Sequence, residues 1–177
     1  SRTYDIVGVF RLAPVKRPDV FINVIAHVAQ RHPELRAAII GDGRMMSDLC
    51  KQTREKGLDG RLEFVGHQED VPVWLSRSKT FLLTSDSEGV ALSVMEALAA
   101  GTPVVASDVG DLADVVVNGG NGFLTPRRQV QGYAEKLSLL LDDPSLRALF
   151  AQHATISATA FSIEATTCRW HEILHSI

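Results

Sequence analysis

Short runs of Val, Ile and Leu alternate along the chain with longer stretches whose apolar residues recur every three or four positions. The runs are Tyr4–Phe10 (YDIVGVF), Leu35–Ile40 (LRAAII), Leu62–Val65, Thr80–Thr84 (TFLLT), Val104–Ser107 (VVAS) and a brief one at Gly122–Leu124. Their weak alternation is the pattern of strands covered on both faces. The stretches between them predict helices. Pro18 suits a first helical turn, and Phe21, Val24, Ile25 and Val28 form a stripe that ends near Pro33. Met45–Lys56 stops at Gly57, and Leu92–Ala100 stops at Gly101, both glycine C-cap signals. Val71–Ser78 predicts a shorter helix. Val130–Leu141, Pro144–Ala160 and Ile163–Ile177 predict a helical tail.

Strand–helix alternation of this kind predicts the α/β class: a Rossmann-like parallel sheet of about six strands with helices on both faces and right-handed crossovers. In the ordinary order 3-2-1-4-5-6, strands 1 and 4 are neighbours and their connections diverge, which opens a ligand crevice beyond their carboxyl ends. The loops Arg11–Arg17 and Ser85–Ala91 are therefore expected to form the site.

Composition narrows the class. The 177 residues suffice for one domain, 1–177, and are too few for two ordinary ones. A net charge of −3 leaves no basic footprint, so no nucleic-acid partner is expected. The pair Arg127-Arg128 is too short to change this and reads as solvated surface. The two cysteines, Cys50 and Cys168, lie in no C-x-x-C pair and have no spaced His partner. That argues against zinc and against a disulfide framework, and predicts reduced core thiols in a cytoplasmic protein. The longest apolar stretch, from position 90 to 100, is too short to span a bilayer and contains Glu96. The start at Ser1-Arg2-Thr3, just ahead of a strand, is expected of a segment cut at a domain boundary.

The two predicted site loops carry unusual chemistry. The first holds Arg11, Lys16 and Arg17; the second reads Ser85-Asp86-Ser87-Glu88-Gly89 and runs into a helix. Cations facing a helix start make an anion site, because free N–H groups and the helix dipole both point at the ligand. Glu88 would repel phosphates, so it fits neutral sugar hydroxyls or, alternatively, the favourable end of the helix dipole. Glu96 lies on a helix apolar around most of its circumference. It is expected to be buried, where a carboxylate needs partners. A ribose diol supplies two donors; a solvated surface acid or an internal salt bridge are the other readings. Gly41-Asp42-Gly43 after the second strand is either a tight turn or a place of close backbone approach to a nucleotide. It is not the dinucleotide fingerprint, which would follow the first strand and need a third glycine where Met46 stands. His67 is either a plain loop histidine or part of a base pocket. His171 and His175, four apart on the last predicted helix, read as surface or packing residues.

As a set, these segments resemble the retaining GT-B glycosyltransferases of family 4. Residues 87–97 (SEGVALSVMEA) resemble that family's E-x7-E motif, with Glu88 and Glu96 as its acids. Residues 101–110 (GTPVVASDVG) resemble its G-x-P-V-V-A-S-D-x-G run, and 118–124 (NGGNGFL) its D-G-x-N-G-x-L element. Arg11 and Lys16 match the cations after the first strand of its donor domain, and Phe161-Ser162 is similar to the family's opening of its last helix. The resemblance implies the C-terminal, donor-binding half of a GT-B enzyme, with the N-terminal acceptor half absent. It implies a nucleotide-diphosphate sugar (a UDP- or GDP-hexose) as ligand, transferred to a glycan, lipid or polysaccharide acceptor. Arg11 and Lys16 would hold the diphosphate, Glu96 the ribose, and Glu88 with the backbone of Gly89, Val90 and Ala91 the donor sugar and phosphate; Gly41, Gly43 and His67 would line the nucleotide. No metal or other cofactor is expected, and peripheral association with the inner face of a membrane is an expectation for the full-length protein. Four positions depart from the pattern: Phe10 and Arg17 stand where glycines are frequent, Asp111 replaces the second Gly of a pair, and Asp114 replaces a frequent Glu. Two further readings remain at this point, a nucleotide-binding or interaction module without catalysis and a GT-B sugar epimerase.

Overall fold

The computed structural model describes residues 3–89 and 91–160. The expected helix at Ile163–Ile177, with Cys168, His171 and His175, lies outside them, as do Val90 and Phe161-Ser162. Six parallel strands form one sheet: β1 (Tyr4–Val9), β2 (Ala37–Ile40), β3 (Leu62–Gly66), β4 (Ser78–Leu83), β5 (Val104–Ser107) and β6 (Gly122–Thr125). Their order is β3-β2-β1-β4-β5-β6, as the alternation predicts. The register pairs Val7 with both Ala38 and Phe81, and Val105 with Leu82 and Phe123.

Six helices cover the sheet: α1 (Pro18–Ala29), α2 (Met46–Glu55), α3 (Val71–Ser76), α4 (Leu92–Ala99), α5 (Val130–Asp142) and α6 (Pro144–Thr159). α1 packs between α2 and α5 on one side, and α4 between α3 and α6 on the other. The sheet is apolar because both faces are buried: all four residues of β2 and of β5 are inaccessible to solvent. The α1 stripe seats Phe21, Val24, Ile25 and Val28 in the core. Asp143 caps α6 by accepting from the Ser145 and Leu146 N–H groups, which fixes where the chain turns after α5.

Three expectations change. The chain makes two short 3-10 turns, Pro14–Lys16 and Gly110–Asp114, where only loops were expected. Cys50 is half-buried on α2 rather than a core thiol. α4 is not buried all round. It buries Val94, Ala97 and Leu98 and leaves Leu92, Glu96 and Ala99 open, because small alanines fill its circumference without demanding cover.

Candidate functional site

The site grows from the carboxyl ends of the strands. Beyond β1, Phe10 turns inward, packs edge-on against Phe21 at a centroid distance of 5.5 Å, and is buried. The Leu12 N–H donates to the Asp42 carbonyl at 2.8 Å, and the Gly41 N–H donates to that of Gly66 at 2.8 Å. These bonds knit the loops after β1, β2 and β3. Gly41, at φ 127°, lies so close to the Phe10 carbonyl oxygen that a side chain would collide with it, and a Cβ on Gly43 would lie 2.5 Å from the Leu12 oxygen. The Gly41-Asp42-Gly43 turn is thus required by close backbone approach within the fold. A cavity of about 330 Å3 opens here, lined by Arg11, Gly41, Asp42, His67 and Val71. Arg11 and His67 are both exposed, and neither makes a hydrogen bond or ion pair through its side chain to the described residues. A larger depression of about 650 Å3 lies toward the amino ends of the strands, between α1 and the end of α2. It is lined by Asn23, His27, Lys56 and Arg61 and is remote from the topological switch point, where ligands of such sheets bind.

On the other side of β1, Lys16 ends the 3-10 turn and meets Glu88 directly. Its ammonium donates to Oε1 at 2.7 Å and to Oε2 at 2.8 Å. The Glu88 side chain is 6% exposed and that of Lys16 27%, so the ammonium covers a buried carboxylate. Two bonds hold the loops together: the Asp86 N–H donates to the Val15 carbonyl at 2.8 Å, and Thr84 Oγ1 donates to that of Arg17 at 2.9 Å. Gly110, at φ 54°, approaches the Glu88 carbonyl so closely that only glycine fits. Glu88 is thus the ion-pair partner of Lys16.

Asp86 forms a second ion-pair centre. Arg128 grips it through Nε at 2.8 Å and a terminal nitrogen at 2.5 Å, and Arg17 approaches at 3.5 Å while also pairing with Asp19. The Arg128 hydrogen bonds hold the Asp86 carboxyl below its usual range. Arg128 was expected to be solvated surface; its guanidinium is half exposed, but it is bonded across the site. No spacing signal marks a contact 42 positions apart, so neither Asp86 nor Arg128 was singled out.

Past Glu88, Gly89 is exposed and a Cβ there would meet nothing within 4 Å. Ala91 is buried and accepts from the Val94 and Met95 N–H groups. The Leu92 and Ser93 N–H groups, at the start of α4, have no acceptor among the described residues. Glu96 corrects the expectation of burial: it is exposed and has no partner among the described residues. The half-turn that carries it, with Leu92 at 68% exposure, faces away from the sheet. Glu96 is thus free to receive a ligand's hydroxyls without paying for burial first.

The family described as Glycosyl transferases group 1 matches residues 2–156 of the chain. An exopolysaccharide phosphotransferase of Streptomyces coelicolor is 34% identical over 92% of this chain and 18% of its own length. Among solved structures, HepE of Anabaena in complex with UDP-glucose superposes with a TM-score of 0.87 and 29% identity, over 99% of this chain and 50% of that one. The C-terminal domain of a group 1 glycosyl transferase, LpcC of Francisella tularensis, superposes with a TM-score of 0.82 and 27% identity, over 90% of this chain and 87% of that one. The chain thus spans about a fifth of that curated relative and half of HepE.

Proposed function

The chain belongs to the group 1 glycosyl transferases, with a GT-B Rossmann-like fold, and from that premise we propose that it is the donor-binding half of a retaining, metal-independent hexosyltransferase. The donor is a UDP- or GDP-hexose, and the acceptor a glycan, lipid or polysaccharide held by a second, N-terminal half. The observation that carries this reading is the meeting of Lys16 and Glu88 at the switch point between β1 and β4, next to the start of α4, whose Leu92 and Ser93 N–H groups have no acceptor among the described residues.

The physical task of such an enzyme is to stabilise the diphosphate that leaves as the sugar–oxygen bond breaks. Arg11 and Lys16 supply positive charge from one loop. The α4 amides, beside Gly89, supply oriented dipoles from another. Glu88 holds the Lys16 ammonium in place until the donor arrives and then accepts from the hydroxyls of the sugar. Glu96 accepts from the ribose diol, and the cavity of Arg11, Gly41 and His67 takes the nucleoside. The UDP-glucose bound in the HepE structure supports the donor class. The name of the Streptomyces relative, an exopolysaccharide phosphotransferase, supports polysaccharide synthesis as the setting; a place at the cytoplasmic face of a membrane belongs to the same proposal. No helix among the described residues is long and apolar enough to cross one.

Calorimetry with UDP and GDP tests the donor site on this chain alone. Lys16→Ala is expected to weaken binding by about 1.5–3 kcal/mol, roughly ten- to a hundred-fold. Unchanged affinity would remove Lys16 from the diphosphate. In the full-length protein, Glu88→Ala is expected to abolish transfer; persistent transfer would remove Glu88 from the chemistry.

A further inference from the structure

We propose that Asp86 is the positioning residue of this site: without touching the donor, it sets Lys16 and Glu88 by fastening two left-handed arginine turns to each other. Among the described residues, only Arg17 (φ 50°) and Arg128 (φ 64°) adopt a left-handed backbone without being glycine. Such a conformation is unfavourable for an L-residue, so it persists only where its surroundings enforce it. Both side chains reach the same carboxylate, Arg17 with the one terminal nitrogen left over from its fork onto Asp19 at 2.9 and 2.6 Å. Arg128 forks onto Asp86 at 2.8 and 2.5 Å, and Arg17 reaches it at 3.5 Å.

The three residues sit where they can aim the site. Arg17 follows Lys16 directly, and its left-handed turn is also the start of α1. Asp86 lies two residues before Glu88. Arg128 belongs to the turn between β6 and α5, on the far side of β5 from β4. The backbone fastens the same loops: the Asp86 N–H bonds the Val15 carbonyl, and Thr84 Oγ1 bonds that of Arg17. Asp86 thereby ties three loops at one point, and the Lys16–Glu88 contact is the product of that alignment. A glycine in place of Arg17 would take the turn without strain and without any side-chain tie. In this chain the turn is instead held by charge.

The sign of the effect separates positioning from mere proximity. A bystander carboxylate near a bound diphosphate repels it, so removing the charge would tighten binding or leave it unchanged. A positioning carboxylate does the opposite. The inference rests on the diphosphate reading, and the experiment separates the two. UDP is titrated calorimetrically into the wild-type chain and into Asp86→Asn, Asp86→Glu and Lys16→Ala, with a melting curve of each. Asp86→Asn is expected to bind UDP about tenfold more weakly, equivalent to about 1.4 kcal/mol, and Asp86→Glu to recover part of the loss. A folded Asp86→Asn that binds as well as or better than wild type overturns the proposal, and so does an Asp86→Glu that recovers nothing. If Asp86→Asn does not fold, Arg128→Lys, which keeps the charge and loses the fork, takes its place with the same expected loss and the same reversal. Loss in Lys16→Ala without loss in Asp86→Asn sinks the positioning role alone. No loss in Lys16→Ala sinks the diphosphate reading and this inference with it.

Discussion

At the scale of single residues, the site holds one carboxylate that is buried and paired and one that is exposed and free, and their mutational signatures should differ. Glu88 is nearly inaccessible and relies on Lys16. Removing Lys16 leaves a buried acid without its cation, a loss of about 1–3 kcal/mol of unfolding free energy. Lys16→Met combined with Glu88→Gln removes both charges and should recover most of that stability in urea titrations; a double variant as unstable as Lys16→Ala would refute the pairing. The exposed Glu96 side chain makes no hydrogen bond or ion pair among the described residues, so Glu96→Gln should leave stability within about 0.5 kcal/mol while still weakening UDP. If the melting point falls with the affinity, Glu96 has a structural role instead. The meeting of Lys16 with Glu88 was legible in the sequence because strand order dictates which loops meet. The exposure of Glu96 was not, since alanines count as apolar in a pattern yet accept solvent at little cost. Asp86 and Arg128 were illegible for a different reason. Their contact depends on a left-handed backbone at Arg128, which no residue-type rule assigns to arginine.

At the scale of elements, all six strands and the six helices through residue 160 were readable, because covered strands and one-sided helices leave different apolar periods. The 3-10 turns were not, since a single turn has too few residues to show a period. Both matter. The turn at Pro14–Lys16 lifts Lys16 toward Glu88, and the one beginning at Gly110 brings the chain against the Glu88 carbonyl. Gly110→Ala would add a collision with that oxygen to a left-handed cost of about 1–2 kcal/mol. It should lower both stability and UDP affinity, whereas Gly57→Ala, also left-handed but with open space around it, should lower stability alone. The ion-paired loops also predict an acid response. The Asp86 carboxyl is depressed in the native state, chiefly by its hydrogen bonds from Arg128. Its stabilisation is therefore complete above the ordinary Asp value of about 3.9 and is lost as pH falls through the lower native value. Stability measured from pH 5 downward should fall less steeply in Asp86→Asn than in wild type; identical slopes would mean that Asp86 does not titrate with folding.

At the scale of the whole molecule, the sheet is complete while the ligand surface is open on one side. The core lies between two helical layers, with β2 and β5 buried along their whole length. The loops beyond β1 and β4, the exposed Leu92 and the exposed Glu96 all lie at the carboxyl edge, and the chain covers half of HepE. Binding and transfer should therefore separate. A ligand at a hundred times its dissociation constant stabilises the fold by about 2.7 kcal/mol, which for a domain of this size raises the melting temperature by roughly 5–10 °C. UDP or GDP should produce that shift in this chain, and uridine or guanosine a much smaller one, because the cations and open amides act on the diphosphate. The same chain should transfer no sugar on its own if the acceptor is held by the second half proposed above. Equal shifts from nucleoside and nucleotide would relocate binding to the cavity beside Arg11 alone. Turnover by the chain alone would mean that one half already contains the acceptor chemistry.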